Sequence, residues 1–283
     1  MQVSVLLITK NEAANLPRCL DALAWCDDIL LLDSGSTDGT LAIAEARGIR
    51  VLHRSFDTFA GQRNWGLEHG GFRHEWVLHL DADEVVTGAF RDALEQLDPP
   101  PGIIAYRVPS KLILFDTWLR HSGMYPVYQV RLGHREGLRF HQVGHGQRET
   151  TEPERVGTFP EPYLHYSFST GLAQWLRRHV TYAADEAALL GHVAALDWSK
   201  IVGRDATERR RQLKAASGRI PLLLRPVARF LHVYLVRQGF RDGAAGLTYA
   251  LMISTYEAMT VVLAREAGAQ GGKSANHAGE IQA

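Results

Sequence analysis

Along the first hundred residues, short apolar runs alternate with stretches of helical periodicity. Residues 3–8, 29–32 and 51–53 read as strands of a parallel sheet, where burial on both faces makes the apolar character continuous. Between them Leu16, Leu20, Leu23 and Ala24 recur at helical spacing, and a second helix is expected from Thr37 or Asp38 through Arg47. Strands alternating with helices predict an α/β domain whose ligands gather beyond the carboxyl ends of the strands.

Residues 76–86 organise the rest. Trp76-Val77-Leu78-His79-Leu80 reads as a buried strand, and the run then meets Asp81, Asp83 and Glu84. Carboxylates crowded at the mouth of a buried strand repel one another and lose hydration, so the pattern calls for a cation or a proton. In extended backbone Asp81 and Asp83 point the same way and would share one hard divalent ion. The plainer alternative makes Asp83 and Glu84 the cap and first turn of a helix near residues 87–97.

Further along, residues 61–67 open a helix that delivers Arg63 and Asn64, and 103–108 form another strand. In residues 169–190, Leu172, Trp175, Leu176, His179, Tyr182 and Ala183 recur as one core-facing helical stripe. The composition then changes. Arg204, Arg209, Arg210, Arg211, Lys214, Arg219, Arg225, Arg229, Arg237 and Arg241 interrupt apolar runs too short for a span of about 20 residues. That pattern suits a basic amphipathic helix lying in an anionic membrane interface; the alternative is a helix packed on the preceding domain with its arginines solvated. Residues 243–264 form a second apolar helix, interrupted by Glu257, that docks on the first rather than crossing a bilayer, and the residues from 268 on are expected to be disordered. Three parts follow: a main domain at 1–200, a helical membrane-interface extension at 204–266, and a disordered tail at 267–283.

Charge changes this picture little. Lys+Arg and Asp+Glu both number 31, so the balance offers no general affinity for polyanions and no nucleic-acid partner is expected. Cys19 and Cys26 are the only cysteines and make neither a disulfide framework nor a zinc site. The first residues lack a basic leader, which points to the cytoplasm.

Four motifs carry a resemblance: Thr9-Lys10-Asn11-Glu12, Asp33-Ser34-Gly35-Ser36-Thr37-Asp38-Gly39-Thr40, Arg63-Asn64 and Leu80-Asp81-Ala82-Asp83-Glu84. In this order and spacing they resemble the family 2 glycosyltransferases of GT-A fold, a Rossmann-like mixed sheet with flanking helices. The chain looks most like their bacterial lipopolysaccharide-core and exopolysaccharide glucosyltransferases, over residues 3–185. The resemblance implies inverting transfer of a hexose from a nucleotide-sugar, usually a UDP-sugar, with Mg²⁺ or Mn²⁺ on the diphosphate. The acceptor would be a cell-envelope glycan or a lipid-linked intermediate at the cytoplasmic face of the inner membrane. Position by position, Thr9, Asn11 and Glu12 would line the nucleotide pocket, Asp33 would contact the uridine, and Arg63 would lie near the base or diphosphate. Asp81 and Asp83 would form the metal pair, with Asp83 the direct ligand and Asp81 acting through water or on the ribose. His165 would complete the metal site.

Inverting transfer needs a base for the acceptor hydroxyl, and Glu149 is favoured over His145 on the glycine-loosened stretch 143–149. Plainer roles stand beside these: an ion pair of Glu149 with Arg148 or Arg135, and structural hydrogen bonds for His145 and His165. Residues 120–132 resemble the family's acceptor side, except that Val127 stands where an acid commonly follows the proline. Three rival readings are a haloacid-dehalogenase-type phosphatase or phosphotransferase with Asp81 as nucleophile, a nucleotidyltransferase, and a catalytically inactive membrane adaptor. The nucleotidyltransferase lacks support because residues 9–12 are not a Gly-rich basic loop.

Overall fold

The computed structural model describes residues 1–144, 146–189 and 221–280. It divides into two compact units, Met1–Thr170 and Gly171–Ala283.

In the first unit β1 (Ser4–Thr9), β2 (Ile29–Asp33), β3 (Arg50–His53) and β4 (Trp76–Asp81) pair in parallel in the order β3-β2-β1-β4. Successive residues of β1 face opposite ways. Val5 and Leu7 join a core with Leu16 and Leu20 of α1 (Leu16–Ala22) and with Phe90 and Leu94 of α4 (Gly88–Glu95), while α2 (Thr40–Ala46) adds Ala44. Leu6 and Ile8 join a second core with Ala60 and Leu67 of α3 (Phe59–His69). A Cβ at Gly66 would stand 2.7 Å from the Leu6 Cδ2, so any larger residue there would force the buried Leu6 side chain to shift where α3 closes on β1.

Beyond β4 the sheet turns antiparallel. The long strand β6 (Ala105–Leu114) and β8 (Val127–His134) pair with each other, and β8 pairs with β4. β12 (Tyr163–His165) runs parallel to β6 and antiparallel to the short β5 (Glu84–Val85). β7 (Thr117–Trp118) and β11 (Val156–Thr158) also pair with β6, and β9 (Phe140–Val143) with β10 (Gly146–Glu149) forms a separate hairpin.

The strand read over 76–80 is present, but the backbone does not stay extended through Asp83. β4 ends at Asp81, Ala82 and Asp83 form a turn, and β5 pairs with β12 instead. The Glu84 side chain accepts from the Asp81 backbone N–H at 3.0 Å, which closes the turn. Nor do Asp83 and Glu84 cap the next helix: Thr87 does, accepting from the Phe90 N–H at 3.1 Å.

The second unit holds α5 (Leu172–Leu189), α6 (Arg225–Leu231) and α7 (Gly243–Glu280). α5 packs against α7: the Tyr256 hydroxyl donates to Glu186 at 2.7 Å, and Trp175 stacks on His179, which meets Tyr256 edge-on. The interruption at Glu257 is explained by an ion pair with buried Arg225 at 2.6 Å, and the Ser254 hydroxyl donates to the Pro226 carbonyl at 2.7 Å. α7 is thus docked on α6. It continues to Glu280, into the stretch expected to be disordered, since extending a formed helix needs no new nucleus. Arg204, Arg209, Arg210, Arg211, Lys214 and Arg219 lie outside the described residues. Among the described residues one helix, Gly239–Ala267, is long and apolar enough to cross a membrane by length and composition.

Candidate active site

The loops after β1 and β2 are stitched together at the carboxyl edge of the sheet. Asn11, with φ of 58°, donates its backbone N–H to the Ser36 hydroxyl at 2.9 Å and accepts from the Thr37 N–H at 2.7 Å. The Glu12 N–H donates to the Thr40 hydroxyl at 2.8 Å, and the Ala13 N–H to Asp38 at 3.1 Å. Asp38 also accepts from the Thr40 N–H at 3.0 Å and so ties two loops, but the N-cap of α2 is Gly39, without a side-chain cap, so neither Thr37 nor Asp38 caps it as expected. The Glu12 carboxylate accepts from Asn15 at 2.6 Å.

Asp33 ends β2, is fully buried, and folds back on its own turn. It accepts from the N–H groups of Gly35 and Ser36 at 2.8 and 2.9 Å and from the Ser36 hydroxyl. The Thr9 hydroxyl reaches it at 3.4 Å and His53 lies 3.6 Å away. Burial alone would raise the Asp33 carboxyl, but the Ser36 and Gly35 hydrogen bonds and the nearby His53 hold it below the ordinary carboxylate range.

Asp81 and Asp83 have separate surroundings. Asp81 is gripped on both oxygens: by Arg63 of α3 at 2.7 Å and by Arg131 of β8 at 2.8 Å. Arg131 also pairs with fully buried Glu84. Burial opposes the Asp81 charge, yet Arg131 and Arg63 outweigh it and hold the carboxyl well below its usual range. Asp83 stands in the turn, 3.5 Å from the His165 Nε2. Burial would lower His165, but the Asp83 charge and hydrogen bond, with Glu84 and Asp81, push it up to about 9. The expectation that the two aspartates point the same way from one extended strand is therefore corrected. The chain turns between them, and Asp81 faces arginines while Asp83 faces a histidine.

This geometry bears on the metal. Among the described residues no three acids, histidines or cysteines converge as a metal cluster. Asp83 and His165 are 21% and 26% exposed and offer an oxygen and a nitrogen donor side by side. That pair fits a hard divalent ion whose remaining ligands come from substrate and water. Asp81, with both oxygens committed to guanidinium groups, does not.

Arg131 is the residue that sequence reasoning missed. In the pairing of β6 with β8, Tyr106 faces Leu132 and Arg107 faces Val130, so Arg131 is the extra residue of a β-bulge. A bulge re-aims the side chain it carries, here under the acidic turn. Its only sequence signal is an arginine inside a strand. Arg63 is fully buried under the acidic turn, and its Nε and Nη1 have no hydrogen-bond partner among the described residues.

Glu149 ends β10, in register with Phe140. Asn64, the neighbour of Arg63, donates to the Phe140 carbonyl at 2.8 Å and accepts from the Phe140 N–H at 2.9 Å. One amide thus fastens the hairpin to α3, an arrangement legible only once the register is known. Glu149 makes no ion pair with Arg148 or Arg135 among the described residues, and His145 lies outside them.

A parallel half-sheet with stitched loops at its carboxyl edge, continued by antiparallel strands past an acidic turn, is a GT-A architecture. Residues 4–160 match the model of glycosyl transferase family 2, and the chain belongs to that family. It is similar to a lipopolysaccharide core biosynthesis glycosyltransferase of Rhizobium meliloti, 29% identical over 167 residues that cover 57% of this chain and 58% of that protein. It is also similar to an uncharacterized glycosyltransferase of Rickettsia felis, 33% identical over 34% of each chain. The chain thus spans less than two thirds of the length of these relatives. Among solved structures, glucosyl-3-phosphoglycerate synthase from Mycobacterium tuberculosis is similar at 17% identity, covering 67% of this chain and 80% of that one with a TM-score of 0.46. A structure of that enzyme with Mn²⁺ and UDP-glucose aligns over 48% of this chain and 56% of that one at 20% identity and a TM-score of 0.37.

Proposed function

We propose that this chain is an inverting hexosyltransferase that takes its sugar from a UDP-sugar and delivers it to a cell-envelope glycan or lipid-linked acceptor. The observation that carries this reading is the separation of the two aspartates, with Asp83 and His165 left facing each other beside the stitched nucleotide-type loops. Asp83 and His165 would hold Mg²⁺ or Mn²⁺, which supplies positive charge against the diphosphate as it departs. Thr9, Asn11, Glu12 and Asp33 form the wall on which the nucleoside rests, and Arg63, itself fully buried, acts on the diphosphate side through its ion pair with Asp81. Asp81 and Arg131 brace the acidic turn. Glu149 takes the acceptor proton, held in place by the hairpin that Asn64 pins.

The same geometry weighs against a phosphatase, whose nucleophile would be Asp81. Both of its oxygens are occupied by guanidinium groups. An inactive adaptor would have no use for the Asp83 and His165 donor pair. The second unit supports work at the cytoplasmic face of the inner membrane: Leu223, Val227, Leu231 and Leu235 are exposed beside Arg229 and Arg241.

The test is UDP-glucose with and without Mn²⁺. Metal-dependent binding and slow donor hydrolysis are expected, and the absence of both for every UDP-sugar tried overturns the reading. Glu149→Gln should lose turnover while keeping donor affinity; full turnover would move the base elsewhere. Co-sedimentation with anionic vesicles, but not with neutral ones, is expected of the full chain.

A further inference from the structure

On the far side of the acidic turn, cations face aromatic rings rather than acids. The Lys111 Nζ lies 4.6 Å from the centre of the Trp118 ring and the Arg120 guanidinium 5.6 Å from it. Tyr125 meets the same indole edge-on at 5.1 Å. Neither Lys111 nor Arg120 has an ion pair or a side-chain hydrogen bond among the described residues. Glu161 acts electrostatically on Tyr125 but forms no ion pair with either cation among the described residues.

Strand alternation says which side of the sheet this is. Lys111 and Arg107 share a face of β6 with Ala105, and Ala105 packs in one core cluster with Val130 and Phe140. Phe140 is the cross-strand partner of Glu149. The paired cations and the hairpin bearing the proposed base therefore stand over the same face, and Lys111 is paired in register with Leu164.

An aromatic ring attracts a cation without neutralising it. Trp118 can therefore draw two cations to one ring while their full charge stays available to a ligand, which a carboxylate partner would not allow. An incoming anion therefore meets charge that no acid among the described residues has neutralised.

We propose that Lys111 and Arg120, gathered on Trp118, form the acceptor subsite and receive an anionic group, a carboxylate or a phosphate, on the acceptor sugar. This rests on the transferase reading and names the class of its second substrate. Trp118 is a positioning residue in this scheme.

The experiment uses the full chain, with glucuronate, glucose 6-phosphate and neutral methyl glucoside as probes, each titrated in the presence of UDP and Mn²⁺ and followed by ligand-observed NMR. At least one charged probe is expected to bind about tenfold or more tighter than methyl glucoside, and which one does so separates carboxylate from phosphate recognition. The double substitution Lys111→Gln with Arg120→Gln should abolish that preference, with UDP affinity unchanged. Lys111→Arg, which keeps the charge, should retain it. Equal or equally absent responses to charged and neutral probes, or a preference that survives the double substitution, overturn the proposal. Loss of UDP binding by the unsubstituted chain would instead strike the transferase reading itself.

Discussion

The two sides of the acidic turn handle charge in opposite ways. On the side of β1, β2 and β4, Asp33, Asp38 and Asp81 each accept at least two hydrogen bonds or ion pairs. On the side of β6 and β7, Lys111 and Arg120 face an indole and no acid. The first arrangement stiffens a surface before any ligand arrives, and binding there costs little reorganisation. The second leaves charge unspent, to be satisfied by a ligand. A transferase with one constant donor and a distinctive acceptor is well served by that division.

The largest expected effect comes from breaking the braced side at its centre. Arg131→Met strands Asp81 and Glu84 against each other and should cost about 3–5 kcal/mol of stability, read from urea unfolding. A cost near zero would mean that the buried network does not hold the turn. Next is Asp83→Ala, which touches no arginine. It should lower the unfolding midpoint far less than Arg131→Met does while lowering Mn²⁺-dependent turnover by about 10²–10³; an equal loss from Asp81→Asn by way of metal affinity alone would erase the distinction between the two aspartates.

Smaller again is Asn64→Ala, which deprives the Phe140 N–H and C=O of their partner. A loss of about 1–3 kcal/mol is expected, with faster hydrogen exchange in β9 and β10 than in β1. Uniform exchange would show that the amide is not the fastening. Least in size is the acid limb set by Asp33. Its folded pKa lies below the ordinary value, so the unfolded chain binds the proton more readily. The stability it supplies is present above the ordinary carboxylate pKa of about 3.9 and is lost as pH falls from there through the folded value. Asp33→Asn should flatten that part of a stability-against-pH curve and leave the neutral region with a shallower slope than the unsubstituted chain shows in acid.

Much of this was legible beforehand. The strands at 3–8 and 29–32 and the helices after them were visible because burial on both faces leaves continuous apolar runs. Thr9, Asn11, Asp33 and Arg63 were visible as motifs and do gather at one edge. The turn at Ala82 and Asp83 was hidden, since an Asp-x-Asp spacing reads equally well as extended backbone. Arg131 was hidden for a different reason: nothing local marks the residue that a bulge will eject. The partner of α5 was hidden as well, because helical periodicity says that a stripe is buried but not against what.

The amino-acid order by itself determined the α/β alternation, the edge at which ligands gather and the family to which the chain belongs, because each rests on periodicity or short motifs within a few residues. Only the tertiary structure decided that Asp81 and Asp83 part company, that Asn64 pins the hairpin of Glu149, and that two cations share one indole. Those outcomes depend on registers and ion pairs between residues tens of positions apart, and long-range pairing of that kind leaves no periodic trace in the chain.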